Sequence, residues 1–334
     1  MLRAVLRFWL VTLPFAPLFG QLPDFYRTVD RLIWVVPDMD ATLSGLKKLG
    51  FTNLRDQGEV ELEWSAFRAR PASGTLRLVS GRFADVAVHW LQPLGGSNAF
   101  QEFLKQSGGG VFSLMHRVPT KEAYEQELAR LKELGVGVLQ SGFVEAEASN
   151  IYYAFLDTVA EGKYALGLVC FPESGEGPLY VSAENPSGRR VTQYAFVVRE
   201  LEPVSAYWAR LGFPPMSYTQ SPLHDRRYRG RPADFEMRLG WQRHGKVPYE
   251  WILSLKGPDI YREHLEKHGE GFHHLAFGVS DMDAEIAEWT RLGFPEAMSG
   301  GWGEKGKPGS GRFAYMDTHS LGGVDVELLW SFPK

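Results

Sequence analysis

Four stretches of the chain repeat one alternation of apolar and polar positions. Each begins with a short β-patterned run, RLIWVV, SLMHRV, QYAFVV or HLAFGV. Each continues into apolar positions at helical spacing and closes on Leu-Gly, where the glycine reads as the residue that stops the helix. DMDATLSGLKKLGF (38–51) and DMDAEIAEWTRLGF (281–294) share their first four and last three residues at equal length. ELEPVSAYWARLGF (200–213) has the same frame, and TKEAYEQELARLKELGV (120–136) is three residues longer. The step from Arg31 to Ser113 is 82 residues, that from Gln193 to His274 is 81, and the step between halves, Arg31 to Gln193, is 162. The pattern predicts an α+β protein of four βαβββ modules, joined pairwise into two domains, 28–171 and 191–334. A Gly-, Pro- and Ser-rich stretch, 172–190, is the expected linker.

Composition narrows this picture. A net charge of −4 and the lack of a basic stripe exclude a phosphate-backbone partner, so no nucleic acid is expected. The single cysteine, Cys170, excludes an internal disulfide and any cysteine-based zinc cluster. The N-terminus departs from the rest: MLRAVLR carries two arginines, FWLVTLPFAPLF is apolar, and Gly20 and Gln21 follow. That layout predicts a secretory signal peptide over residues 1–20 and a secreted or periplasmic protein. Twelve apolar residues fall short of the roughly 20 that span a bilayer, so no stable membrane span is expected. The expected protein is a monomer or homodimer acting on a small molecule.

The runs RYRGRPADFEMRLGW, YEWILSLKGPDIYREHLEKHGEGFHHLAFGVSDM and GRFAYMDTHSLGGVDVELLW carry a family resemblance. The chain resembles the vicinal oxygen chelate superfamily, which includes glyoxalase I, methylmalonyl-CoA epimerase, bleomycin-resistance proteins and extradiol dioxygenases, and is nearest the glyoxalase–epimerase branch. The resemblance implies paired modules whose sheets curl around a metal or ligand cleft. It also implies two metal ligands per module, on the first and last strands. Carried onto this sequence, the set is Gln193, Glu250, His274 and Glu327, with one divalent ion (Zn, Ni, Co, Mn or Fe).

Two carboxylates, an imidazole and an amide oxygen form a sulfur-free site suited to such ions. Four protein ligands on an octahedral ion leave two neighbouring positions for a chelating substrate. The implied chemistry is proton transfer α to a carbonyl by a lyase or isomerase, with Glu327 as the first choice of base and Glu250 the second. Two alternatives remain at this stage: ring cleavage by an extradiol-type dioxygenase, and ligand sequestration without catalysis, as in the bleomycin-resistance branch.

The same frame places Arg31, His89, Ser113 and Gly167 at the corresponding positions of the first half. One candidate ligand among four predicts a metal-free domain, structural or cup-like. Period-2 alternation puts His273 on the face opposite His274, as a structural residue. His319 is expected to face solvent from a turn. Arg229 and Arg231 are candidates for a substrate carboxylate, and SGGWGEKGKPGSG (299–311) is expected to be a mobile rim. Val197 stands where a glutathione-binding glyoxalase would carry an arginine, which disfavours lactoylglutathione as substrate.

Overall fold

The computed structural model describes residues 22–146, 150–171 and 179–332. The expected signal peptide, and the 172–178 part of the expected linker, lie outside the described residues.

Two ten-stranded mixed sheets dominate the fold, one built from each half of the chain. Four strands form the middle of the first sheet: Val86–Pro93, Arg31–Val35, Gly110–Arg117 and Ala165–Cys170, in that order. Their counterparts in the second are Tyr249–Lys256, Val191–Val197, Gly271–Gly278 and Asp325–Ser331. In each quartet the outer pairs run parallel and the central pair antiparallel, so two modules meet along a single seam. Shorter antiparallel strands extend both edges and curl the sheet.

One exchange was not legible in the repeat. A small hairpin, Ser65–Phe67 with Arg70–Pro71, leaves the first module and pairs with Val138–Val144 of the second. Its counterpart, Leu223–Tyr228 with Arg231–Pro232, pairs with Glu296–Trp302. Each hairpin therefore ties one module to its partner's far edge.

The helices that follow the first strands are Met39–Lys48, Lys121–Glu133, Leu201–Arg210 and Met282–Arg291. Asp38, Thr120 and Asp281 cap three of them by accepting a hydrogen bond from the backbone N–H three residues on. Gly50, Gly135, Gly212 and Gly293 end them at φ of 83°, 81°, 99° and 98°. That left-handed conformation costs a Cβ-bearing residue energy and costs glycine little.

Side chains on the helix-facing sides of both sheets, with the helices, form one shared core that includes Trp34, Trp90, Phe196, Trp208, Trp251 and Trp289. Two indole hydrogen bonds cross between halves. Trp34 Nε1 donates to Gly322 O at 2.8 Å, and Trp208 Nε1 donates to Gly162 O at 3.2 Å. The concave faces carry separate apolar clusters, which leaves each half with its own cup.

Candidate metal centre

The four residues singled out in the second half sit on the four central strands, around two alanines. Ala195 is the backbone partner of both Glu250 and His274, and Ala276 is the partner of both Gln193 and Glu327. Side chains opposite one another across a strand pair share a face, so all four project from the same side of the sheet. The alanine methyls between them leave room for two carboxylates and a ring.

His274 Nε2 lies 3.2 Å from Glu327 Oε2 and 3.5 Å from Glu250 Oε2. The three donor atoms fall within 4.8 Å of one another, and all three residues are buried. Gln193, also buried, lines the same cup. Gln193 Oε1, Glu250 Oε2, His274 Nε2 and Glu327 Oε2 are each buried without a hydrogen-bond partner. Four unpartnered polar atoms converging in one buried place are unfavourable for the protein alone. A divalent cation would satisfy all of them, and the oxygen and imidazole donor set suits one. The residues therefore fit a metal ion.

Without a cation, the electrostatics favour a proton in its place. Burial pushes the Glu250 carboxyl up, the nearby His274 ring opposes this, and the Glu327 charge pushes it further. Burial works to lower the His274 pKa, but the two carboxylates prevail and lift it to about 9. Around neutral pH the trio therefore keeps a proton on its imidazole, offsetting part of its negative charge.

His273 departs from the alternation expected of a strand. Ala195 pairs with His274 and Phe196 with Phe272, so His273 is the extra residue of a β-bulge. The bulge turns its ring beside that of His274 instead of onto the opposite face, with Nδ1 of each 2.9 Å apart. His273 is fully buried between Tyr261 and Tyr315 and has Nε2 3.6 Å from Asp325 Oδ2.

The cup above the trio has a volume of about 410 Å³. Met237, Leu239, Trp241, Trp302 and Phe313 make its apolar walls, with Thr219, Ser221 and Arg243 as polar points. Arg243, not singled out in the sequence, is the cation of this cup; its guanidinium lies 4.9 Å from the Trp241 ring. Arg229 instead forms ion pairs with Glu263 and Asp317, and neither it nor the exposed Arg231 lines the cup. His319 is half-buried against His268, at 4.6 Å between rings, so it does not simply face solvent. The expected rim is shorter than 299–311: Ser299, Gly300 and Gly301 are buried within the strand Glu296–Trp302, and only 303–310 form a loop.

In the first half, Arg31, His89, Ser113 and Gly167 occupy the equivalent register positions. The two central alanines are replaced by Ile33, partner of His89 and Ser113, and Met115, partner of Arg31 and Gly167. A Cβ on Gly167 would lie 2.5 Å from Ser113 Oγ and 2.6 Å from Met115 Cγ, so no glutamate fits there. Larger floor residues have filled the volume that ligands occupy in the second half.

The sequence model of the Glyoxalase/Bleomycin resistance protein/Dioxygenase superfamily matches residues 192–315. No curated protein sequence matches the chain. Among solved structures, a triple mutant of 4-hydroxymandelate synthase from Streptomyces coelicolor superposes with a TM-score of 0.58 at 14% identity, covering 91% of this chain and 92% of that one. A xylose isomerase-like TIM barrel/4-hydroxyphenylpyruvate dioxygenase fusion protein gives 0.51 at 15% identity, covering 92% of this chain and 50% of that one. A Mn(II)-bound glyoxalase from Novosphingobium aromaticivorans gives 0.43 at 14% identity, covering 92% and 83%. Residues 192–315 thus match the model of the glyoxalase/bleomycin resistance protein/dioxygenase superfamily, and the whole chain shares the paired-module fold of the 4-hydroxymandelate synthase structure.

Proposed function

We propose that the C-terminal cup is the active site of a divalent-metal-dependent enzyme of the lyase or isomerase type. It would act by proton transfer α to the carbonyl of a small chelating substrate. The observation that carries this reading is the convergence of two buried carboxylates on one imidazole, with the ligand-facing atom of each unpartnered. Gln193, Glu250, His274 and Glu327 would hold the cation. When bound, it stabilises the negative charge that develops on the carbonyl oxygen.

The protein's own part is the proton. Glu327 takes it from the carbon next to the carbonyl, and the electron pair of that C–H bond moves toward the carbonyl carbon. The proton returns to the same carbon from the other side, or to its neighbour, so the conversion is redox-neutral. Glu250 is the second candidate, and burial raises its pKa, the direction that makes a carboxylate a stronger base. The walls of Trp241, Trp302 and Phe313 keep water from the reacting carbon, and Arg243 offers a fork for a substrate carboxylate at the rim.

Oxygen-dependent chemistry is the second reading. It is raised by the shared fold of the 4-hydroxyphenylpyruvate dioxygenase fusion protein. The donor set stands against it, because non-haem iron oxygenases use two histidines and one carboxylate, whereas this trio has one histidine and two.

Elemental analysis followed by a metal-dependent screen of 2-oxo and 2-hydroxy acids in deuterated water separates the readings. Deuterium incorporation that is lost in Glu327→Ala supports proton transfer. Turnover only with O₂ would establish the oxygenase reading, and less than about a tenth of an equivalent of metal, with no gain on reconstitution, would leave a binding protein. The basic-then-apolar leader extends the proposal to an exported protein, which N-terminal sequencing of the mature chain tests.

A further inference from the structure

The first half keeps the cup while losing the metal ligands. Its cavity, about 190 Å³, occupies the place in the first sheet that the candidate active site occupies in the second. The lining is largely apolar, with Leu76, Leu78, Leu91, Phe100, Phe155 and Val169 among it, and Gln57, Glu61 and Glu63 contribute polar groups. A dry cavity of about 150 Å³ already accommodates benzene, so this one has room for an aromatic ring or a short aliphatic chain.

One cation stands on the floor of this apolar space. Arg31 occupies the register position of Gln193 and is only 6% exposed. Its Nε donates to Asp30 Oδ2 at 2.7 Å, which places the counter-charge on one edge of the guanidinium. Its Nη1 donates to Leu179 O at 2.8 Å and lies 3.1 Å from His89 Nε2. Leu179 and His89 both line the cup, so this edge, unlike the Asp30 edge, belongs to the cavity. Burial and the neighbouring guanidinium drive the His89 pKa well below its usual value, which keeps the ring neutral and its Nε2 lone pair available to the Nη1 hydrogen. The Phe171 ring, 4.5 Å from the guanidinium, stacks on its face.

We propose that the N-terminal cup is a second ligand site, which binds a monocarboxylic acid with an apolar body, its carboxylate on the Arg31 guanidinium in place of the Leu179 carbonyl. A guanidinium fork matches a carboxylate in shape and charge, and burial strengthens the pairing. Glu61 and Glu63 would repel a polyanion, whereas a single carboxylate can be held on Arg31. The site needs no metal and does not depend on the chemistry proposed for the second half.

The test is calorimetric titration of the full-length, chelator-treated protein with 4-phenylbutyrate and with its primary amide, which has the same shape and no charge. The expected result is one acid bound per chain, at least tenfold tighter than the amide. Arg31→Met should weaken acid binding at least tenfold and leave the amide unchanged. Leu78→Trp, which fills the cavity, should abolish both. Equal affinity for acid and amide in the unmodified protein would overturn the proposal, a result that needs no variant to fold. So would absence of binding at millimolar acid, or loss of binding in Arg243→Met with none in Arg31→Met, which would place the acid in the other cup.

Discussion

His273 Nδ1 and His274 Nδ1 face each other at 2.9 Å, so one ring must donate and the other accept. His274 can present a bare Nε2 to a cation only if its own Nδ1 carries the hydrogen. That makes His273 Nδ1 the acceptor and puts the His273 hydrogen on Nε2, facing Asp325. His273 is then a positioning residue, one that fixes the tautomer and orientation of a ligand. His273→Phe should weaken metal affinity by about 10–100-fold, the usual scale for such partners, while His273→Gln, which keeps an acceptor, should recover part of it. Chelator competition measures this, and unchanged affinity in His273→Phe would remove His273 from the site.

The alanine floor gives a second prediction. Introducing the first-half residues as Ala195→Ile and Ala276→Met should push the ligands apart and abolish metal retention. Overpacking of this kind costs about 1–3 kcal/mol, a visible drop in Tm with the protein still folded. Full metal occupancy in the double variant would show that the floor does not govern the site.

Acid stability follows from buried histidines outside the centre. Burial lowers His116 to about 4 and His244 to about 4. Because the unfolded chain binds these protons near pH 6.5 and the folded chain resists them, stability is full above pH 6.5 and falls as pH drops from there toward 4. For fully buried His116 the loss amounts to roughly 3 kcal/mol over that window. His116→Phe should flatten the dependence of the urea midpoint on pH between 6.5 and 4, and a slope equal to that of the unmodified protein would contradict the assignment.

The shared core predicts how the chain unfolds. Since one cluster runs through both halves and two tryptophans bond across, the halves should melt in a single transition. Trp208→Ala should cost about 3–5 kcal/mol and lower the unfolding of both halves together. Two resolved calorimetric peaks in the unmodified protein would refute this.

Much of the architecture could be read from the repeat. Three LGF endings set the helix ends, because a left-handed stop demands glycine, while Gln193, Glu250, His274 and Glu327 came from the family resemblance, with which the module spacing agrees. The bulge could not be read: inserting one residue changes the face a side chain occupies but leaves the local pattern of GFHHLAF unaltered. The exchanged hairpins were hidden for a related reason, since their pairing partners lie 70 to 79 residues away. Arg243 escaped notice because the RYRGR run, with three arginines of its own, is more conspicuous, and only the fold shows which arginine turns inward. One overlooked signal was present, the contrast of Ala195 and Ala276 with Ile33 and Met115.

The seam between modules has a consequence of a different kind. Gln193 and Glu250 come from one module, His274 and Glu327 from the other, so neither module alone offers more than half of the donor set. In logical terms the proposed cation would be an AND gate, retained only when both modules are present and docked. A chain cut between them, near residue 258, would report reassembly of its two pieces through the return of a bound ion.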